Sequence, residues 1–247
     1  LGRFAGYDLT SGHNNFFAGF YAGFNVTTGI YNISQGFQAG YDATTGSYNI
    51  FQGYQAGYNA TTVSNTIAIG RAAIGTGVLT GTNNTAIGQQ AGYDLTSGTY
   101  NNFMGYNAGY NATTADYSIA IGYAAIGTGV LTGIRNIAIG SSAGEDLTSG
   151  TYNVFAGHAA GLNATTPNNT VAIGRSAIGL GVLTGHNNTA IGQNAGYDLT
   201  SGGFNNFIGF QAGFNATSAD NTIAIGRNAI GLGVLTGDGN TAIGHDA

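Results

Sequence analysis

The chain has 247 residues, of which 6% are charged, 43% are hydrophobic and 45 are glycine, and its formal net charge is −5 with five arginines and no lysine. So few basic residues argue against a nucleic-acid-binding surface, and the glycines that interrupt every apolar run argue against membrane insertion. The content of apolar and aromatic residues is too high for a typical disordered chain, and the glycines lack the spacing of collagen.

One glycine recurs along the whole chain in steps of 17 or 18 residues. An alanine stands three residues after each of these anchor glycines, and Asn, Thr or Ser stands four residues before each of them from Asn15 onward. A short fixed period with position-specific small residues predicts a solenoid whose coils stack on copies of themselves. We therefore predict an all-β fold, a parallel β-solenoid of about fourteen 17–18-residue coils that forms one domain over residues 1–247. The anchor glycines are Gly2, Gly19, Gly36, Gly53, Gly70, Gly88, Gly105, Gly122, Gly140, Gly157, Gly174, Gly192, Gly209, Gly226 and Gly244.

Three coil types follow one another along the chain. The first 53 residues run one type three times, and from Gly70 the three types rotate in a super-repeat of 52 residues that returns at Gly122, Gly174 and Gly226. This pattern indicates duplication of a 52-residue cassette, which adds length more than distinct sites. Because the chain begins and ends inside a repeat unit, we expect an excerpt of a longer fibre without caps.

Each coil contains two segments with strand character. The segment Ile67-Ala68-Ile69 alternates β-branched and small residues, which predicts a short strand ending at the anchor glycine. A second short strand is predicted at Leu95-Thr96 and its equivalents, with Asn or Asp in the turn between the two. The alanine column predicts a thin core in which larger side chains would clash.

Several of these strands carry a recognisable motif. The strings Thr66-Ile-Ala-Ile-Gly70, Thr85-Ala-Ile-Gly88, Ser118-Ile-Ala-Ile-Gly122 and Thr170-Val-Ala-Ile-Gly174 resemble the head repeats of trimeric autotransporter adhesins. The form Asn-Thr-Ala-Ile-Gly followed by Ala-Gly is also similar to repeats of phage and viral tail or surface fibres. The resemblance implies a left-handed β-roll, three chains side by side, and an extracellular place on a cell or virion surface.

The polar columns allow two interpretations each. The Asn column predicts a structural ladder of side-chain amides, with a ligand-binding ladder as the alternative. The Thr column suggests ice binding as an alternative to a structural role for the protein, although no second Thr column flanks it to make a flat face. The threonines of this alternative ice face are Thr27, Thr44, Thr61, Thr96, Thr113, Thr148 and Thr165.

Aromatic residues follow the turn glycine in two of the coil types. Their rings could contact a host-surface glycan or protein receptor, or they could cover coil edges and pack against neighbouring chains. These residues are Phe24, Tyr41, Tyr58, Tyr93, Tyr110, Tyr197 and Phe214. Nearby tripeptides match the N-glycosylation pattern, at Asn25, Asn59, Asn111, Asn163 and Asn215.

A phenylalanine two residues before some anchors predicts self-association. Its bulk recurs every 52 residues from Phe51 onward where other coils have alanine, and we expect it to fill the space between parallel chains of a homotrimer or filament. The phenylalanines are Phe17, Phe51, Phe103, Phe155 and Phe207.

The sequence gives no sign of catalysis. Its four histidines do not recur at one repeat position in neighbouring coils, so the repeat geometry assembles neither a metal site nor a catalytic triad. We therefore expect no enzymatic activity and no cofactor, and we interpret the chain as a structural segment of a surface fibre or adhesin.

Overall fold

The computed structural model describes residues 2–231 and 233–247. The chain divides into two compact units, Leu1–Ile121 and Gly122–Ala247. In the first unit the strands are β1 (Phe16–Ala18), β2 (Ile33–Gln35), β3 (Ile50–Gln52), β4 (Ile67–Ile69), β5 (Thr85–Ile87), β6 (Asn102–Met104) and β7 (Ile119–Ile121). In the second unit they are β8 (Ile137–Ile139), β9 (Val154–Ala156), β10 (Val171–Ile173), β11 (Thr189–Ile191), β12 (Asn206–Ile208), β13 (Ile223–Ile225) and β14 (Thr241–Ile243).

Within each unit every strand pairs in parallel with the strand of the next coil. Ala68 of β4 is opposite Ala86 of β5 in the first unit, and Ala172 of β10 is opposite Ala190 of β11 in the second. Partners are one coil of 17 or 18 residues apart, so the prediction of an all-β parallel β-solenoid is confirmed. The described residues include no helix with the length and hydropathy that a membrane span requires.

The prediction of a second strand at Leu95-Thr96 is wrong. Among the described residues this part of the coil makes only isolated bridges, such as Ala60 with Leu79. The Leu95 N–H donates to the Gly92 carbonyl of its own coil at 3.1 Å, and only the Thr96 N–H reaches the next coil. Because one of two successive groups turns back into its own coil, no continuous ladder forms.

The side chains of each strand alternate between the inside and the outside of the coil. In β4 the central Ala68 is buried and its two neighbours are half-buried. The predicted alanine column lines the interior, since Ala91, Ala108 and Ala143 have no exposed surface. This column sets the small cross-section of the core.

The large core side chains lie inside single chains, so the expectation that phenylalanines fill the space between chains is wrong. Phe51, Phe103, Phe155 and Phe207 are at most 1% exposed. Each ring fits because two glycines leave space for it. Both stand four residues after an anchor glycine, one in the same coil as the phenylalanine and one in the preceding coil. A Cβ built on Gly57 or on Gly40 would lie only 2.3 or 2.6 Å from the Phe51 ring.

A complementary isoleucine explains why the cassette spans three coils. In the coil of β4 the strand carries Ala68 instead of phenylalanine. The position four residues after the anchor glycine, which is glycine in the coils with phenylalanine, is here Ile74, and Ile74 has no exposed surface. Ile74 adopts a φ of 50°, a left-handed conformation that is unusual for a β-branched residue. A Cβ built on Gly92 would lie 3.0 Å from Phe103 and 3.6 Å from Ile74. Phenylalanine from one coil and isoleucine from another therefore share the core of the coil between them.

The anchor glycines are fixed by conformation and by space. Gly157, for example, has a φ of 134°, and a Cβ built on it would lie 2.6 Å from the carbonyl oxygen of Gly174 in the next coil. No other residue type combines this backbone with such a close approach. This contact explains why the glycine recurs in each unit.

Candidate binding surfaces

The Asn column is a buried structural ladder, as predicted. Nδ2 of Asn101 donates to the Ala115 carbonyl at 2.6 Å and to Oδ1 of Asn84 at 3.1 Å. Oδ1 of Asn101 accepts from the Ser118 N–H of the next coil at 2.9 Å. Asn153 and Asn205 repeat this pattern. The amides bond mainly to backbone, and their burial removes them from any ligand.

The threonines of the alternative ice face are all half-buried. Oγ1 of Thr27 donates to the Thr44 carbonyl at 3.1 Å, and Oγ1 of Thr96 donates to the Thr113 carbonyl at 2.9 Å. Oγ1 of Thr148 donates to the next coil in the same way. The hydroxyl protons therefore serve the solenoid itself, and this placement adds no support for ice binding, which stays a prediction.

The asparagines of the glycosylation tripeptides are half-buried in the turns. Nδ2 of Asn59 donates to the Thr76 carbonyl at 2.9 Å, and Nδ2 of Asn163 donates to the Leu180 carbonyl at 2.9 Å. N-glycosylation modifies this same nitrogen, so a glycan would compete with a bond between coils. Glycosylation at these positions stays a prediction.

The predicted aromatic residues form separate stacks at the same repeat position in the two units. We call this position the turn aromatic column (Phe24, Tyr41, Tyr58, Tyr93, Tyr110, Tyr197 and Phe214). Ring centroids are 5.1 Å apart for Phe24 and Tyr41 and 5.0 Å for Tyr41 and Tyr58, with interplanar angles of 6° and 10°. Tyr93 and Tyr110 stack at 4.9 Å in the same way. Within each stack the rings cover one another's faces, so chiefly their edges are left for a partner.

Two of the stacked tyrosines, Tyr41 and Tyr110, have raised pKa values. Burial is the first cause that raises the pKa of Tyr41, and Tyr58 and Asp42 beside it raise the pKa further. Burial likewise raises the pKa of Tyr110, with a further contribution from Asp94. Both phenols are therefore neutral near pH 7, so these two levels present aromatic rather than anionic groups.

The turn aromatic column of the first unit is interrupted at Gly75. The interruption leaves a cavity of about 230 Å³ between the levels of Tyr58 and Tyr93. It is lined by Gln55, Tyr58, Asn59, Ala72, Gly75, Thr76 and Tyr93. The sequence shows which coils lack the aromatic residue, but the cavity follows only once adjacent coils are known to stack ring on ring.

A second cavity of about 480 Å³ lies in the second unit where Gly203 replaces a larger side chain. His186 and Asp220 flank it, but the Asn168 N–H donates to Nδ1 of His186 at 3.0 Å and the Gly203 N–H donates to Oδ1 of Asp220 at 2.6 Å. Both side chains thus hold the turn. The described residues contain no cluster of three or more His, Cys, Asp or Glu side chains that could hold a metal ion.

A surface that the sequence interpretation missed is the outer sheet face, formed by the first and third residues of each strand. In the second unit Ile139, Ile173, Ile191, Ile208 and Ile225 project from this face and are 37–45% exposed. Parallel sheets in proteins are normally covered on both faces, so this one is unusually bare. The signal was present in the Ile-Ala-Ile alternation, whose outer residues must point away from a core lined by the central alanine.

A second set of stacked tyrosines stands five residues before the anchor glycines. Tyr31 stacks on Tyr48 with centroids 5.2 Å apart, and Tyr100 stacks on Tyr117 at 5.0 Å. These rings are about half exposed. They were not among the residues singled out in the sequence, because asparagine, arginine, phenylalanine or glycine takes the place of tyrosine in other coils.

Comparison with protein-family models, with curated proteins and with solved structures finds no match to this chain.

Proposed function

We propose that this chain is a structural repeat segment of an extracellular fibre or adhesin, on a cell or virion surface, and that its copies associate side by side and in parallel as a homotrimer. The segment would hold a distal part away from the surface. A filament of the same chains is the alternative form of association.

The bare outer sheet face carries this proposal. Five isoleucines in successive or near-successive coils of the second unit make one apolar surface, and large exposed apolar patches typically mark interaction sites. A copy of the same chain has the same coil spacing, so its isoleucines meet this face at matching levels. A partner without this repeat would match only a few levels.

The interior supports a structural role. The buried asparagines and the anchor glycines are engaged in contacts between coils. Their regular use favours a chain built to repeat rather than one built around a reactive site. The number of three chains comes from the resemblance to trimeric adhesin heads, and the exposed aromatic edges supply contacts to a glycan or protein receptor.

Size-exclusion chromatography with light scattering tests the association. The parent is expected at about three times 24.9 kDa, close to 75 kDa. The double variant Ile173→Lys with Ile191→Lys places charges on the outer sheet face and is expected at the mass of one folded chain. Val182→Lys is the matched control, because Val182 lies outside the strands and is 55% exposed, and this variant should keep the parent mass. A parent that is a folded single chain would contradict the proposal.

A further inference from the structure

We propose that the break in the turn aromatic column at Gly75 is a binding slot for one neutral hexopyranose ring of a glycan, held between Tyr58 and Tyr93. The inference rests on the proposed surface-display function for its biological setting. Binding itself needs only residues of the first unit, so it can be tested independently of chain association.

The height of the slot follows from the spacing of the column. Adjacent rings such as Tyr41 and Tyr58 are 5.0 Å apart, and Gly75 removes one ring between Tyr58 and Tyr93. Two coil steps of about 4.8 Å give a separation of about 10 Å between these levels. The missing side chain leaves the cavity of about 230 Å³.

This height admits a flat ring as well as a sugar ring, because the flat ring of Tyr41 fills the same two-step interval between Phe24 and Tyr58. The polar groups at the rim therefore decide in favour of a sugar. Carbon atoms pack at about 3.5–4.0 Å, so a flat ring needs about 7–8 Å between two tyrosine planes. A puckered pyranose is thicker because it carries hydrogens on both faces. Its apolar C–H groups would lie against the tyrosine rings, which provide apolar faces with a polar edge.

The glycine at the base of the slot is required. A Cβ built on Gly75 would lie 2.7 Å from Cε2 of Tyr93, so any side chain at this position would displace the ring that forms one wall. Gly75 is itself buried, whereas Tyr58, Asn59 and Tyr93 are half-buried and reach solvent. The slot thus has a closed base and an accessible rim.

The rim presents oxygen acceptors that suit sugar hydroxyls. Nδ2 of Asn59 donates to the Thr76 carbonyl at 2.9 Å, which turns Oδ1 of Asn59 away as an acceptor. Nε2 of Gln55 donates to Gln38 at 2.8 Å, which likewise leaves Oε1 of Gln55 as an acceptor. No arginine or lysine lines the cavity, so the slot suits a neutral sugar rather than a sialic acid or a phosphate.

The second unit contains a matched position without the slot. Gly179 stands at the same place in the coil as Gly75, but the preceding level carries Leu162 instead of a tyrosine. On the other side Tyr197 stacks on Phe214 at 4.9 Å, as Tyr93 stacks on Tyr110. Removal of Tyr197 therefore costs the same stacking contact without affecting the proposed site.

Nuclear magnetic resonance titration of the full chain with methyl glycosides of glucose, galactose and mannose tests the proposal. At least one sugar should shift the Gly75 and Thr76 amide signals and receive saturation transfer. Tyr58→Ala and Tyr93→Ala should each weaken binding about three- to tenfold, and Tyr197→Ala should leave it unchanged. Gln55→Ala, which spares both rings, should also weaken binding and remains informative if a tyrosine variant fails to fold.

Three results would overturn the slot. One is the absence of any shift at Gly75 and Thr76 with all three sugars. Another is an equal loss of binding in Tyr197→Ala. The third is binding of indole at these amides without binding of the sugars, which would mean that the slot selects flat rings instead. A chain that binds sugar but has the mass of one protomer would refute the proposed association and leave the slot in place.

Discussion

Replacement of Asn153 by alanine should destabilise the second unit by about 2–6 kcal/mol, because it leaves two buried backbone groups without partners. Nδ2 of Asn153 donates to the Pro167 carbonyl at 2.8 Å and to Oδ1 of Asn136 at 3.0 Å. Its Oδ1 accepts from the Thr170 N–H at 3.0 Å. Asn153 has no exposed surface, so water cannot replace these bonds without opening the coil. Each orphaned group costs about 1–3 kcal/mol.

Urea denaturation followed by circular dichroism measures the global effect, and hydrogen exchange at the Thr170 amide measures the local one. A loss of about 3 kcal/mol corresponds to a reduction in exchange protection of about 150-fold. Asn163→Ala is the control, because its half-buried amide donates only to the Leu180 carbonyl at 2.9 Å and, at the longer distance of 3.5 Å, to the Gly179 carbonyl, and it should cost less than about 1 kcal/mol. Equal effects of the two variants would refute the structural role of the Asn column.

Ala143→Leu should lower the stability of the fold by about 1–3 kcal/mol through overpacking, as measured by thermal melting. Ala156→Leu, on the outer sheet face, is the control and should melt at the same temperature as the parent. An unchanged melting temperature for Ala143→Leu would contradict the position of the alanine column. Gly157→Ala should cost about 2 kcal/mol or more, since it adds a clash with the Gly174 carbonyl to a strained φ, and Gly237→Ala, whose added Cβ has no heavy atom within 3.5 Å, is the control that should remain stable. Burial raises the pKa of Asp198, so the folded state holds this proton more tightly than the unfolded state, and stability falls as pH rises from the ordinary carboxyl pKa toward the raised one. At the equivalent position of the first unit, Oγ1 of Thr76 donates to Oδ1 of Asp94 at 2.7 Å. Leu180→Thr should give Asp198 the same hydroxyl donor and should therefore raise the melting temperature at pH 7 but not at pH 3. An equal change at both pH values would exclude this cause.

The length of the coil and the register of its strands could be predicted because equivalent residues recur at fixed steps along the sequence. A residue such as Ala91 must stack on its own copies, so small side chains at fixed steps reveal the interior. The buried Asn ladder was predictable for the same reason. Its partners were not, because the sequence shows that amides align but not that Pro167 or Ala115 presents a carbonyl to them.

The second strand and the location of phenylalanine were not predictable from the pattern alone. Leu95-Thr96 has the composition of a strand, but its backbone turns back to Gly92, and composition does not encode that bond. Phe103 appears too large for an alanine-lined coil until the space provided by Gly92 and Gly109 is seen. The error came from judging bulk at one position without the compensating glycine at another.

The proposed parallel association is tested most directly by a spin-label distance across copies of the outer sheet face. The chain contains no cysteine, so Asn206→Cys, at an exposed position in β12 of the second unit, gives one label per chain. Because apolar sheet faces pack about 10 Å apart, parallel copies place identical residues together, and we expect one distance below about 30 Å between labels. An absence of dipolar coupling, or a distance that shows the labels displaced by several coil steps, would contradict a parallel assembly through this face.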